Sequence, residues 1–471
     1  MTSRGSRGGR SKPVAGSAAP SPTVNGDANG AGHAGTTGAT VVRFAPGAAK
    51  QGMRQLGEAG MRIASARELA EAAPQAGAVA ADFGGANVLY FERFGIAIVQ
   101  EEPARIRGAL AGAAANRSVA NARPERVYRA LTPPPALLDA GAAGSLAGIA
   151  GARLAPDYLR GYRDAVDHLV DRLLVDGEAD GLGAAAAARL EDAGATWGLA
   201  VTGVTRSRYS GAGVRVAVLD TGMDLDHPDF AARQILAKSF IADEDAQDVQ
   251  GHGTHCIGTA CGPREPEGQP RYGIAFGATI LAGKVLGNDG FGTDRSIIAG
   301  MEWALDEGAA VISMSLESPV RPGEGWIEDY EIIGDVCLDA GTLVVAAAGN
   351  ESLRPARIAP VGAPANSPSI MAVGAINQGL GIAEFSCGGI NPGQAVDIVG
   401  PGDEVLSSVP DGHGFKRGTS MATPHVAGVA ALFAECDEKF RGRALWAILM
   451  QRARQLPLPA RDVGKGLVQA P

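Results

Sequence analysis

Long apolar runs are missing from this sequence of 471 residues. No segment approaches the roughly 18 uninterrupted apolar residues of a membrane helix, and the run from Thr342 to Ala348 has only the length of a buried strand. The stretch after the first basic residues, Pro13 to Pro22, lacks the apolar core of a secretory signal. We therefore expect no membrane contact and a cytoplasmic location, with export by a non-classical route left open.

Positive charge and cysteine are also limited. The 42 Lys and Arg residues are outnumbered by 51 Asp and Glu residues, and the net charge of −9 comes without a basic stripe along the chain. Such a sequence lacks the electrostatic footprint of a nucleic-acid-binding protein. The cysteines form an odd set of five, so at least one thiol has no intrachain partner, which favours a reducing compartment. They are Cys256, Cys261, Cys337, Cys387 and Cys436.

Composition changes along the chain and predicts two folded units. Residues 1–39 contain almost no large apolar side chain, so we expect a disordered tail. Residues 40–131 carry strand and helix patterns in a β-α-β…α-β order, which predicts a small α+β unit with helices on one face of an antiparallel sheet. Residues 132–196 contain Pro133–Pro135 and an amphipathic segment at 158–175, and we interpret them as a connector with a helical segment.

Residues 197–471 alternate strands and helices. The strands are nearly continuous apolar runs, which are typical of a parallel sheet covered on both faces. They occur at Val214–Leu219, Ala309–Ser315 and Thr342–Ala348. A crossover helix is expected between the first run and the second, at 292–307, and the last helix is expected to begin at Ser420. The pattern predicts an α/β fold with a doubly wound, mostly parallel sheet.

Three short segments of this second unit each centre on one reactive side chain. They are Val216–Gly222, Gly251–Cys256 and Gly418–Pro424. Asp220 ends an apolar strand, where open parallel sheets place their sites, and can orient the imidazole of His252. Ser420 stands in a Gly-rich turn at the start of a helix, where His252 can take its proton. This order of acid, base and nucleophile predicts an acyl-transfer triad.

Each segment alone permits another interpretation. The sequence around Asp220 also fits an aspartic protease or a simple turn, and the triplet Gly-Thr-Ser is common in turns. His252 and His255 are three residues apart, which superficially resembles a metal pair. Zinc peptidases use a four-residue spacing with an intervening Glu as base, and that Glu is absent here. The combination of the three segments favours the triad.

The three segments and their order resemble those of the subtilisin-like serine proteases, the subtilases. The resemblance runs from about Trp197 to Ala470 and implies a subtilisin-like domain at 197–471. It also implies that residues 40–131 are an inhibitor-like propeptide with a ferredoxin-like fold, from the order of elements and the closing phrase Pro124–Val127. An unrelated small docking domain is the alternative for this unit.

The resemblance further implies an oxyanion donor and a substrate groove. Asn350 matches the side chain that, with the backbone N–H of Ser420, stabilises the oxyanion. Substrate should lie as an added strand between two segments, with the pocket for the residue before the cleaved bond based at Gly362. The implied substrate-contacting residues are Gly290, Phe291, Gly292, Ser315, Leu316, Glu317, Ala348, Gly349 and Gly362. Glu317 replaces the glycine common in the family, and it either points to solvent or biases the pocket toward basic or polar residues.

Catalysis by such a site requires no cofactor, but the resemblance implies a possible structural calcium ion. Pro368, Ile370 and Asp397 match positions that offer two carbonyls and a carboxylate in some relatives. Cys256 resembles the thiol of the branch that includes proteinase K, where it accompanies the catalytic histidine; a buried, inert thiol is the alternative.

We therefore expect a serine endopeptidase that removes its own N-terminal domain. Its partners should be protein or peptide substrates and that domain, which acts as an intramolecular inhibitor, and we expect a monomer. Two alternatives remain: a peptide ligase or macrocyclase that uses the same acyl-enzyme, and a catalytically silent binding module.

Overall fold

The computed structural model describes residues 35–72, 83, 85–115, 117–131 and 194–471. The expected tail up to residue 34 and the expected helical segment at 158–175 lie outside these ranges. Within the described ranges, no helix combines the length and apolarity that spanning a bilayer requires.

The N-terminal unit, residues 35–131, is a largely antiparallel sheet with its two longer helices on one face. Its elements are β1 (Thr36–Phe44), α1 (Ala49–Glu58), β2 (Ile63–Ser65), α2 (Ala66–Ala72), β3 (Val88–Phe91), β4 (Ile96–Val99), α3 (Pro103–Ala115) and β5 (Val119–Ala130). The strand order is β5-β1-β4-β3-β2, and only β2 runs parallel to its neighbour. Without β2 and α2, this is the β-α-β-β-α-β order of the ferredoxin-like motif.

Both faces of this sheet are apolar, because both are covered. On one face, Val42 and Phe44 pack with Leu56 of α1 and Ile106 of α3 in a small core of their own. The residues that alternate with them, such as Val41, point to the opposite face and join the core of the second unit. The two units are therefore packed together through the face of the sheet opposite α1 and α3, where Ala66 and Leu69 of α2 also join the shared core.

The second unit, residues 194–471, contains a seven-stranded parallel sheet. The strands of this unit, of which seven form the parallel sheet, are β6 (Arg215–Asp220), β7 (Ile235–Ser239), β8 (Thr279–Lys284), β9 (Phe291–Thr293), β10 (Val311–Met314), β11 (Leu316–Glu317), β12 (Leu343–Ala347), β13 (Met371–Ile376), β14 (Ile398–Pro401), β15 (Val405–Val409) and β16 (Gly412–Lys416). Its helices are α4 (Trp197–Val201), α5 (His252–Cys261), α6 (Asp294–Asp306), α7 (Glu328–Asp339), α8 (Thr419–Cys436), α9 (Gly442–Arg452) and α10 (Ala460–Val463), with 3₁₀ turns at Val204–Arg206 and Pro228–Phe230.

The parallel sheet has the order β14-β13-β12-β10-β6-β8-β7, and every pair in it is parallel. Its central strands are buried along their length, as expected where helices cover both faces. Helices α5 and α8 pack against each other over this sheet, so their N-termini bring the second and third sequence segments close to the end of β6. The predicted α/β class and parallel sheet are confirmed.

Some predicted boundaries were wrong. β1 begins at Thr36, so the predicted tail of residues 1–39 overlaps a strand that pairs with β4 and β5. The small polar residues of that stretch suggested disorder, but ladder hydrogen bonds from neighbouring strands order them. Helix α8 begins at Thr419 rather than Ser420, and it is followed by α9 and α10, so it is not the last helix.

Candidate active site

Asp220 and His252 form a buried, hydrogen-bonded pair. Asp220 is the last residue of β6, and His252 is the first residue of α5. The Nδ1 atom of His252 lies 2.7 Å from Oδ1 of Asp220, which also accepts the backbone N–H of Thr221 at 2.8 Å. Burial lowers the pKa of His252, but the attraction of the Asp220 carboxylate outweighs burial and holds that pKa well above its usual range. The pair can therefore stabilise an imidazolium.

Ser420 is turned toward two carbonyl oxygens. Its Oγ donates toward the carbonyl of Ser315 at 3.2 Å and toward that of Leu131 at 3.3 Å. The Nε2 atom of His252 has no hydrogen-bond partner among the described residues. The acid–base half of the triad is thus assembled, whereas the base–nucleophile hydrogen bond forms only when the hydroxyl turns away from these carbonyls. Such loose geometry is common before substrate reacts.

The backbone carbonyl of Ser420 accepts hydrogen bonds from side chains outside its own helix. Pro424 lies four residues later and has no N–H, so the carbonyl of Ser420 lacks its helical partner. That carbonyl instead accepts the hydroxyl of Ser315 at 2.8 Å and the thiol of Cys256 at 3.5 Å. Cys256 also lies 3.9 Å from Nδ1 of His252, and burial raises the pKa of its thiol. Cys256 therefore lies beneath the triad as a neutral side chain.

Asn350 presents a free amide donor next to Ser420. Its Oδ1 accepts both the backbone N–H and the hydroxyl of Thr419 at 2.9 Å, which fixes the orientation of the amide. Its Nδ2 is buried without a partner in the described part of the chain. A Cβ on Gly418, whose φ is 148°, would come within 2.9 Å of this nitrogen. Such an oriented, unpaired donor is what an oxyanion hole requires.

Strand β5 of the N-terminal unit occupies the groove predicted for substrate. It pairs antiparallel with β9 on one side, where Tyr128 faces Gly292, and with β11 on the other, where Ala130 faces Leu316. The N–H of Ala130 also donates to the carbonyl of Gly290 at 2.9 Å. The strand leads directly to Leu131, whose carbonyl lies at the Ser420 hydroxyl.

Glu317 does not point to solvent. Its side chain is fully buried, and its Oε2 lies within 2.6 Å of where a Cβ would stand on Gly349 or Gly362. The carboxylate therefore enters the space between Gly349 and Gly362, the predicted base of the pocket, beside the point where the N–H of Gly362 donates to the carbonyl of Ala348 at 2.9 Å. Burial raises the pKa of Glu317 well above its usual range, and the neighbouring Glu351 raises it further.

The two remaining predicted groups lie away from the reacting atoms. His255 bonds to the carbonyl of Val405 at 2.9 Å, and burial lowers its pKa to about 3, so it is a neutral structural side chain. Asp397 accepts the N–H of Ala372 at 2.8 Å, and burial raises its pKa to about 7. This places its carboxylate beside the strand that follows Ile370.

Sequence reasoning missed three contributors to the site. Leu131, Arg129 and Glu351 were not singled out, although Glu351 directly follows Asn350 and contacts Arg129 at 2.6 Å. The feature of the sequence that could have indicated contacts with acidic residues was a series of arginines at the end of the N-terminal unit, spaced three residues apart. They are Arg123, Arg126 and Arg129.

Comparisons with known proteins agree with this geometry. A model of the subtilase family matches residues 211–466. An intracellular serine protease of Paenibacillus polymyxa is 38% identical over 269 residues, which cover 55% of this chain and 79% of the relative. Subtilisin E of Bacillus subtilis (strain 168) is 40% identical over 227 residues, which cover 48% of this chain and 56% of the relative. Among solved structures, sphericase matches with a TM-score of 0.50 and 29% identity, over 56% of this chain and 93% of that one.

Proposed function

This chain belongs to the subtilase family of serine peptidases, and we propose that it hydrolyses peptide bonds through Ser420, His252 and Asp220. The observation that carries the proposal is the position of a carbonyl. The Leu131 carbonyl oxygen, at the end of a strand held in the groove, lies 3.3 Å from the Ser420 hydroxyl, next to the buried Asp220–His252 pair.

The mechanism follows from the groups present. Ser420 attacks the carbonyl carbon while Nε2 of His252 takes the hydroxyl proton, and Asp220 stabilises the imidazolium. The oxyanion accepts hydrogen bonds from Nδ2 of Asn350 and from the backbone N–H of Ser420. His252 then gives the proton to the leaving amine, which departs and leaves an acyl ester on Ser420. Water, deprotonated by His252, hydrolyses that ester and restores the hydroxyl.

We further propose that the first bond cleaved is that between Leu131 and Thr132 of the same chain. The antiparallel pairing of β5 with β9 and β11 and the contact of Leu131 with Ser420 support this assignment. This bond joins the N-terminal unit to residues 132–196, which the sequence predicts as a connector.

After cleavage, the N-terminal unit should remain bound as an inhibitor. A set of contacts that we call the docking region supports this: it comprises Asp294 and Asp329 of the peptidase unit with Arg43, Arg123 and Tyr128 of the N-terminal unit. Arg123 bonds to Asp294 at 2.6 Å and to Asp329 at 2.6 Å, and Arg43 bonds to Asp329 at 3.2 Å. The hydroxyl of Tyr128 donates to Asp294 at 3.0 Å. These contacts depend on the folded N-terminal unit and not on the bond after Leu131, so they should hold the unit in place after that bond is cleaved.

Comparison of wild type with Ser420→Ala tests this function. Wild type should shorten to a chain that begins at or after Thr132, whereas Ser420→Ala should stay intact and fold normally, because the change leaves only a small cavity. N-terminal sequencing and intact mass identify the cut. If both chains stay full length and hydrolyse peptides equally, the N-terminal unit is an adaptor.

The comparisons lend no support to a peptide ligase or a silent binding module. A fluorophosphonate probe should label wild type at Ser420, once dilution has released the cleaved N-terminal unit, and leave Ser420→Ala unlabelled, since only an activated hydroxyl reacts. An unlabelled wild type would revive the silent module. Ligation would appear as product joined to an added amine in preference to hydrolysis.

We also propose a structural calcium ion at Asp397. Its buried carboxylate accepts one N–H in the described structure, and the raised pKa marks a group that a cation would stabilise as the anion. Asp397 and the carbonyls of Pro368 and Ile370 would hold the ion, which would contribute stability and no catalytic step. EDTA should lower the melting temperature of wild type and have no effect on that of Asp397→Asn; equal effects on both would refute the site.

A reducing compartment is a further proposal, as is a monomeric state. The five cysteines are free thiols, four of them buried, and one relative is named as an intracellular protease. Fractionation of the source cells tests the compartment, and light scattering of the processed chain tests the monomer.

A further inference from the structure

Two carboxylates of the peptidase unit, Glu317 and Glu351, lie together at the groove, and we call them the acid pair. Both are bonded to Arg129 of the N-terminal unit. Its Nη2 lies 3.2 Å from Oε1 of Glu317 and 2.6 Å from Oε1 of Glu351. Glu317 is fully buried, whereas the side chain of Glu351 is 23% exposed.

The peptidase unit supplies no counter-charge to this pair. In the described part of the chain, the ion pairs of both acids are made with Arg129. The nearby cations are engaged elsewhere: Arg354 bonds to Asp462, and Arg357 donates to the backbone carbonyl of Glu351. Because like charges at short range destabilise each other, both acids can be ionised together only when a cation lies beside them, as Arg129 does.

One acid oxygen is also without a hydrogen-bond donor. Oε2 of Glu351 accepts the N–H of Asn350 at 3.0 Å and the thiol of Cys387 at 3.5 Å. Oε2 of Glu317 has no partner among the described residues, even though the side chain is completely buried. This holds with Arg129 in place, so Arg129 satisfies only the Oε1 atom of Glu317, and burial of the other oxygen makes the ionised form of this acid costly.

The register of β5 defines which substrate residue reaches the pair. Leu131 places its carbonyl at Ser420 and so precedes the bond to be cut. Arg129 lies two residues earlier, opposite Glu317, and it is the third residue on the acyl side. Alternate residues of a strand share a face, so its side chain extends toward the same wall of the groove as that of Leu131.

We infer that the acid pair selects substrates with arginine or lysine at the third position before the cleaved bond. The inference rests on the proposed peptidase function and adds the determinant of its specificity. Any linear peptide bound in the register of β5 can reproduce the Arg129 contact, because that contact needs only an extended strand. The cationic side chain then supplies the counter-charge that the pair lacks and donates to one oxygen of each acid, as Arg129 does.

Peptides that copy residues 128–131 test the inference on the full chain after it has processed itself and has been diluted until the N-terminal unit dissociates. The matched pair is acetyl-Tyr-Arg-Ala-Leu and acetyl-Tyr-citrulline-Ala-Leu, each with a fluorogenic amide leaving group. Citrulline keeps the shape of arginine and removes its charge. We expect kcat/KM to be about tenfold higher, or more, for the arginine peptide, since hydrogen bonds between ionised groups are the strong ones.

Variants locate the effect. Glu351→Gln and Glu317→Gln should each reduce the preference for arginine over citrulline, whereas Asp335→Asn, a neutralised acid on the exposed face of α7, should keep it. Equal cleavage of both peptides by wild type would overturn the inference and leave the peptidase function intact. Failure to cleave either peptide, together with absence of fluorophosphonate labelling, would overturn the peptidase function itself.

Discussion

The N-terminal unit meets the peptidase unit through arginines in two places, and the two differ in what a linear peptide could imitate. In the docking region, Asp294 and Asp329 are contacted by Arg43 of β1 and Arg123 of β5, two strands held together by the fold of the unit. In the groove, Arg129 is the one arginine of the described N-terminal unit that forms ion pairs with the acid pair. Only the groove contact is open to an unfolded substrate.

The two places also differ in how completely their acids are satisfied. Asp294 is fully buried and accepts bonds from the side chains of Arg123 and Tyr128 and from the backbone N–H of Arg126. Glu317 is equally buried but keeps one oxygen without a partner among the described residues. Affinity for the inhibitor should therefore come mainly from the docking region, whereas the groove, incompletely paired, should discriminate among substrates.

The largest expected effect is on the rate of the catalytic step, which neither set of arginine contacts performs. Asn350→Ala should lower kcat by about 10²–10³, the loss known for the corresponding donor of subtilisin, with little change in KM. The affinity for the N-terminal unit should stay the same, because that unit binds without an oxyanion. Steady-state kinetics on the citrulline peptide measure kcat, and an unchanged value would remove Asn350 from the mechanism.

Arg123→Met should weaken retention of the cleaved N-terminal unit by about 10²-fold, because it leaves buried Asp294 without its cation and leaves Asp329 with Arg43 alone of its two ion-pair partners. Hydrolysis of peptides by the freed enzyme should not change, since Arg123 leaves with the unit. The measurement is the protein concentration at which dilution of the self-processed chain releases half of the peptidase activity. Retention equal to that of wild type would show that the docking region contributes little.

Arg129→Met should weaken the same retention by only about tenfold. Its side chain is 44% exposed, so solvent screens part of the charge interaction, although Glu317 is buried. The same dilution assay compares the two variants directly. A larger loss for Arg129→Met than for Arg123→Met would reverse the proposed division between docking and groove.

The smallest effect is on the pH dependence of specificity. Because the pKa of Glu317 is raised, the acid pair should gain its full charge only above the usual range of a carboxyl, and the preference for arginine over citrulline should grow as pH rises. Glu351 and Cys387 are the titratable groups of the peptidase unit that face it. His252 must also lose its proton, but that affects both peptides alike, so the ratio of their kcat/KM values isolates the pair. A ratio constant between pH 5 and 9 would contradict this prediction.

Much of the catalytic site was predictable from the sequence because each reactive residue lies within a short segment whose neighbours set its local geometry. Asp220 ends an apolar strand, and Ser420 follows a glycine whose φ of 148° allows the backbone to approach Asn350 closely. The parallel sheet was predictable for the same reason, since strands buried on both faces are apolar throughout.

The sequence by itself therefore determined the fold class, the order of the catalytic residues and the helical N-terminus that presents Ser420, because these depend on neighbours along the chain. Only the tertiary structure decided whether Glu317 points inward, since Gly349 and Gly362 leave the space for its carboxylate from separate segments. It also decided that Arg129 reaches that carboxylate across 188 residues. Contacts of such separation depend on how two units pack, and no local pattern encodes that packing.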